Sequence, residues 1–248
     1  MKASLRFLPL LLIAVLWEAI ARTGLIGASL PSLTEVAGAW ARVAEGGELQ
    51  MHAASSLYRS AVGLALAIGV GGVLGIAMAW WRPIDQFMSP LVEMLYPLPK
   101  SALIPLAALW LGLGDGSKIL VIFLACMLPV TLSAYNGARG TDPVLIWSAR
   151  SMGASRLRCL WDVVIPSALP ELLNGIRTAL AFSFVVLVTS ELIVSRKGLG
   201  YLIGFLGDGG VYDAMFAVVI TVAALGFFAD RLYVALAGWL LRWRLSTT

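Results

Sequence analysis

The residues best suited to chemistry are few and widely spaced. Lys100 closes the run Tyr96-Pro97-Leu98-Pro99-Lys100, Glu191 lies at the end of an apolar stretch, and His52 is the single histidine. Each proline removes a backbone donor and disfavours helix in the residue before it, so the segment around Lys100 must break or bend. Within a membrane such breaks are tolerated where they are buried in protein or line a cavity. Tyr96, Pro97, Pro99 and Lys100 are therefore candidate gate or pathway residues, with Lys100 placed to attract an anion, and Glu191 is a further candidate. A static kink and a structural ion pair are the competing readings. One histidine leaves little scope for zinc or Ser-His-Asp chemistry, so no catalytic or metal-binding residue is assigned. Cys126 and Cys159 are far apart, without a CxxC spacing, and read as free thiols. The stretch Gly112-Leu113-Gly114-Asp115-Gly116-Ser117 is a turn and not a phosphate loop, because no Gly-Lys-Ser/Thr follows to open a helix. No Walker A pattern occurs anywhere, so any nucleotide that drives this protein binds another chain.

The elements that must position these residues are read from composition. Of 248 residues, 60% are hydrophobic and 13% charged, against about 45–50% and about 25% in soluble domains. Lipid must solvate much of that surface. The formal charge of +4 fits basic flanks facing anionic lipid and does not suggest nucleic acid, because the basic residues are scattered between apolar spans. A span needs about 20 apolar residues. The chain reads as a single all-α transmembrane domain, residues 1–248, of about six transmembrane helices: Leu5 to Ile20, Ser60 to Trp80, Phe87 to Leu111, Ile119 to Tyr135, Leu172 to Val194 and Ala214 to Leu236.

The N-terminal layout, with Lys2, Arg6 and Ala19-Ile20-Ala21, also resembles a secretory signal peptide. Glu18 near the would-be cleavage site and Trp17 as an interfacial anchor favour a retained span. Lys2, Arg6, Arg82, Arg139, Arg150, Arg156, Arg158, Arg242 and Arg244 would lie inside, against Arg22, Arg42, Arg59, Arg196 and Lys197 outside. That bias places both termini in the cytoplasm. Gly71 and Gly75 form a GxxxG suited to close helix packing. Glu18, Glu93, Lys100, Arg177, Glu191, Asp230 and Arg231 lie in or near spans, where charges face the bundle interior, a cavity or each other. Leu49 to Tyr58 reads as an amphipathic surface helix with His52 solvated.

The long inside segment from Asn136 to Glu171 carries the sequence WSARSMGASRLRCLWDVVIPSALP. It is expected to form a short helix, a turn at Gly153 with positive φ, and a second short helix stopped by Pro166. This segment resembles the EAA loop of bacterial ABC importer permeases. Ala149 and Gly153 match that pattern, and Val163-Val164-Ile165-Pro166 follows at the right spacing. Trp147 stands where Glu is usual, and Ser148 where the first Ala is usual. The runs Ile104-Pro105-Leu106, Trp110-Leu111-Gly112-Leu113-Gly114 and Gly198-Leu199-Gly200-Tyr201-Leu202, with Asp230-Arg231, are similar to permeases of the nitrate/sulfonate/taurine family. The resemblance covers roughly residues 30–245.

The resemblance implies a permease subunit in the bacterial inner membrane that imports a small sulfonate-, taurine- or nitrate-like anion. Ser148, Ala149, Arg150, Ser151, Met152, Gly153, Ala154, Ser155 and Arg156 would form a cytoplasmic coupling helix between helices four and five. The implied partners are ABC ATPase subunits, a periplasmic substrate-binding protein and a second permease copy in a homodimer. No cofactor would sit on this chain; ATP and Mg would bind the ATPase. The alternative is an ion-gradient-driven secondary transporter, which predicts paired broken helices in an internal repeat; only one proline-broken helix is evident.

Overall fold

The computed structural model describes residues 8–25 and 27–243. Lys2, Arg6, Arg244 and the expected start of the first span at Leu5 lie outside them. Among the described residues the fold is all-α: α1 (Leu8–Thr23), α2 (Leu33–Glu45), α3 (Glu48–Trp80), α4 (Arg82–Leu95), α5 (Leu103–Leu111), α6 (Asp115–Arg139), α7 (Pro143–Ser151), α8 (Arg156–Cys159), α9 (Ile165–Val194), α10 (Leu199–Asp208) and α11 (Tyr212–Leu240).

Among the described residues, four helical segments are long and apolar enough to cross a membrane: α3, α6, the stretch Arg156–Val194, and α11. Helices α4 and α5, with the 3-10 turn before α5, are long and apolar enough only when taken together, and they are bent by 85° at the break between them. The first expected span overlaps α1, of which 16 residues are described.

The chain groups into two compact units, within Met1–Ser56 with Glu191–Leu225, and within Leu57–Ser190 with Gly226–Thr248. In the first, α2 begins on a capping box: Ser32 Oγ accepts the Glu35 amide, and the Glu35 carboxylate accepts the Ser32 amide at 2.8 Å. The Ser32 amide and hydroxyl, both donating to it, hold the Glu35 carboxyl below its ordinary value. Val36 and Ala39 of α2 pack on Ala214 and Ala217 of α11, and Arg42 pairs with Asp213 at 2.8 Å. Trp17 donates its indole N–H to the Pro31 carbonyl at 2.9 Å.

In the second unit α6 is the central packing element. Val121, Ile122, Val130 and Ala134 are fully or nearly fully buried on it. The expected GxxxG does what its spacing suggests: a Cβ on Gly71 would lie 2.9 Å from the Met127 carbonyl oxygen, and one on Gly75 would overlap the Thr131 carbonyl. Helices α3 and α6 therefore approach backbone to backbone. Arg59 pairs with Asp115 at 2.7 Å, its side chain only 5% exposed.

Two sequence expectations are corrected. Leu49 to Tyr58 is not a separate surface helix; it forms the first turns of α3, and His52 is 6% exposed rather than solvated. Pro166 stops nothing. A π-turn at Leu160–Val164 leads into α9 without interruption, with the Ile165 amide donating to the Leu160 carbonyl. The wider turn accommodates a proline ring that would collide with the carbonyl four residues earlier in a regular α-helix.

Candidate functional site

Three places in the structure hold the residues singled out by sequence. The first is the helix–turn–helix at 143–159. Asp142 caps α7 by accepting the Val144 amide at 2.8 Å, and Pro143 occupies the position where a missing N–H costs nothing. The helix ends in a Schellman arrangement: the Ala154 amide donates to Ala149 at 3.0 Å and the Gly153 amide to Arg150 at 2.9 Å. Gly153 has φ 87°, a left-handed conformation that side chains with a Cβ adopt only with strain. Ser155 then caps α8 by accepting the Arg158 amide. Ala149 and Ala154 are half-buried, while Ser148, Arg150, Ser151, Met152, Gly153, Ser155 and Arg156 are exposed. Trp147 and Met152 project outward at 64% and 82% exposure.

Beneath this projecting edge the segment is anchored. Leu160 and Val164 pack with Ala138 and Ala168 in a buried cluster. The Arg156 guanidinium donates to the Trp80 carbonyl at 3.2 Å and lies 5.6 Å from the centre of the Trp80 ring. That tie to the C-terminal end of α3 was not legible in sequence, since nothing in the spacing of Trp80 and Arg156 pairs them.

The second place is the break between α4 and α5. Helix α4 ends at Leu95, and a 3-10 turn covers Lys100–Ala102 before α5. Lys100 Nζ donates to the Tyr96 carbonyl at 2.5 Å and sits 5.7 Å from the Tyr96 ring centre. The cation thus satisfies a carbonyl left open at the end of α4. Tyr96, Pro99 and Lys100 line a cavity of about 770 Å³ walled also by α6 and α9. Pro97, though in the break, is not among its lining residues.

The third place gathers Glu191, His52, Ser56 and the turn before α10. Glu191 is fully buried and accepts the Ser56 hydroxyl at 2.9 and 2.8 Å and the Gly200 amide at 2.9 Å. Ser56 Oγ accepts the Leu199 amide at 2.8 Å, and His52 Nδ1 accepts the Gly198 amide at 2.8 Å. His52 is therefore the tautomer protonated on Nε2, and it stacks on Tyr201 at 5.8 Å. Three consecutive amides, that of Gly198 and the first two of α10, are each satisfied by a buried side chain. Glu191 is in the first unit, whereas the cavity's lining residues all belong to the second.

The model of the family described as binding-protein-dependent transport system inner membrane component matches residues 71–242. The taurine transport system permease protein TauC of Escherichia coli is 37% identical over 73% of this chain and 66% of its own length. The aliphatic sulfonates transport permease proteins SsuC of Bacillus subtilis and Escherichia coli are 34% and 32% identical, each over 96% of this chain and over 87% and 90% of their own lengths. Among solved structures, a chain from a crystal structure of an amino acid ABC transporter matches with a TM-score of 0.62 at 17% identity. It covers 82% of this chain and 96% of its own, and the likeness is one of fold.

Proposed function

Since the chain belongs to the family of binding-protein-dependent transport system inner membrane components, we propose that it is the transmembrane permease subunit of an ATP-driven importer that moves a small sulfonate-, taurine- or nitrate-like anion from periplasm to cytoplasm. The observation that carries this reading is the helix–turn–helix at 143–159. It is pinned by Arg156 on Trp80, closed by the positive-φ Gly153, and edged by exposed Trp147 and Met152. A rigid, slim projection with protruding apolar side chains suits a groove on a partner protein.

In this reading residues 148–156 seat in an ATPase subunit, and both termini face the cytoplasm. Trp147, in place of an acidic residue, makes that contact by apolar burial. ATP and Mg bind the partner. Closure of two ATPases moves the projection, and the motion passes into α9, which continues from it through the π-turn. The broken pair α4–α5 borders the path, with Tyr96, Pro97, Pro99 and Lys100 as its candidate gate. A periplasmic binding protein delivers the solute, and a second copy of this chain completes the path. Transport then follows from differential contacts that bias a two-state element. Glu191 acts here by fixing the turn at 198–200.

Affinity purification of the tagged chain from native membranes, followed by mass spectrometry, tests the assembly. Co-recovery of an ATP-binding subunit and a solute-binding protein is expected. Recovery of the chain alone, in detergent that preserves a reference permease complex, overturns the reading.

A further inference from the structure

The geometry points to the cavity beside Lys100 as a transit site for a small organic monoanion with an apolar body and no cationic group. This inference rests on the permease reading and narrows its substrate class. At about 770 Å³ the cavity falls in the range of small-molecule sites.

Among the described residues, Lys100 is the only charged side chain lining it, and no carboxylate lines it. The ammonium is held by the carbonyl of Tyr96 and, more distantly, by that of Leu95. Neither partner neutralises its charge, and a third donor remains. On α6, Ser133 and Asn136 are three residues apart and so share a face. Both line the cavity. Their side chains have no hydrogen-bond partner among the described residues, whereas the hydroxyls of Thr178 and Thr189 are committed to carbonyls of their own helix at 3.1 and 2.8 Å. One cation thus lies along the break, Ser133 and Asn136 offer polar groups from α6, and Leu128, Phe182 and Val186 supply apolar wall.

That division matches a ligand with one anionic head and an uncharged hydrocarbon part. A zwitterion would bring an ammonium into a wall that offers a lysine and no carboxylate, an unfavourable like-charge approach. A bare inorganic anion would leave the apolar wall unused.

The test uses the permease–ATPase complex in phosphatidylcholine nanodiscs without the binding protein, so that the binding protein's selectivity does not enter. Saturation-transfer NMR is recorded with 1-butanesulfonate and taurine, sulfate, which carries no proton, is titrated as a competitor of the butanesulfonate signal, and uptake of the three anions is measured in proteoliposomes with ATP and the binding protein. Butanesulfonate is expected to bind more tightly than taurine or sulfate. Lys100→Met is expected to weaken its binding about tenfold or more, the scale of one charge-assisted hydrogen bond, while Lys100→Arg retains most of it. Phe182→Trp, which fills the apolar side, should reduce it with Lys100 intact.

Equal or tighter binding of taurine or sulfate, or unchanged binding in Lys100→Met, overturns the inference. Displacement of butanesulfonate by phosphatidylglycerol added to the disc, with uptake indifferent to Lys100, would identify a lipid site and overturn it as well. Normal ATP-driven uptake of any of these anions in Lys100→Met sinks the site but not the importer. Butanesulfonate binding that depends on Lys100, with no ATP-driven uptake of any of the three, sinks the importer but not the site.

Discussion

Glu191 and Ser56, 135 residues apart, share a buried hydrogen bond at 2.8–2.9 Å, and between them they hold the first two amides of α10. A Cβ on Gly198 would overlap the Glu191 carboxyl, and Gly198 has φ 122°, so carboxylate and turn fit only with glycine there. Removing the acceptor leaves buried donors unsatisfied at about 1–3 kcal/mol each. Glu191→Ala is therefore expected to lower the melting temperature of the purified protein and to speed amide exchange at 198–200. Glu191→Gln should fall between it and the native chain. Gly198→Ala should resemble Glu191→Ala, because it displaces the carboxyl. Exchange at these amides unchanged in Glu191→Ala would refute the assignment.

Gly153 separates geometry from chemistry at the projecting turn. A β-branched residue at φ 87° is strained by about 1–3 kcal/mol, whereas asparagine tolerates this region. Gly153→Val should therefore leave membrane insertion intact but uncouple ATP hydrolysis from uptake in proteoliposomes, and Gly153→Asn should keep most of the coupling. Tight coupling in Gly153→Val would remove this turn from the transmission path.

Close approach of α3 to α6 makes Gly75 intolerant of even one carbon. A Cβ there would overlap the Thr131 carbonyl and lie 2.7 Å from the Ala134 Cβ. Gly75→Ala is expected to destabilise the protein by about 1–3 kcal/mol, read as a lower melting temperature in detergent. Gly69→Ala, with nothing within 4 Å of the added atom, is the matched control and should cost little.

Arg177 and Asp230 form a two-pronged pair, at 2.7 and 3.0 Å, between helices that each read as a membrane span. Neutralising one partner strands a charge in an apolar setting. Arg177→Leu or Asp230→Leu alone should cut the yield of folded protein, and the double substitution should recover much of it. A double variant no better than either single one would show that the pair is not a unit.

The capping box of α2 should respond to acid. The Ser32 amide and hydroxyl lower the Glu35 carboxyl below its ordinary value of 4.5. A lowered folded value means that the bond's contribution is complete above the unfolded value and is lost as pH falls through the folded one. Amide protection at the start of α2 should decline over that acid range. Glu35→Gln, which keeps an acceptor for the Ser32 amide, should flatten the decline.

Local signals were legible in the sequence; distant ones were not. The break at Tyr96–Lys100 follows from two prolines acting on their immediate neighbours, and the positive φ of Gly153 from the small set of residues that tolerate it. The approach of α3 to α6 was written in the spacing of Gly71 and Gly75, although their partners on α6 were not. His52 read as solvated because it lies in a polar stretch, yet its place is set by the Gly198 amide, 146 residues away. Helix α10 was overlooked because its 10 residues are too few to announce a span. Pro166 read as a stop because sequence does not show whether the preceding turn is wide enough to carry a proline.

That wide turn also keeps a phase. A π-turn contains one residue more than the α-helical turn it replaces, so the extra residue is taken up within the one turn and the faces before and after it stay nearly in register. Deleting one of Leu160–Val164 would leave the direction of the projection almost unchanged, but it would restore a regular turn and bring the Pro166 ring against the carbonyl four residues before it, so the segment serves as the proline's clearance.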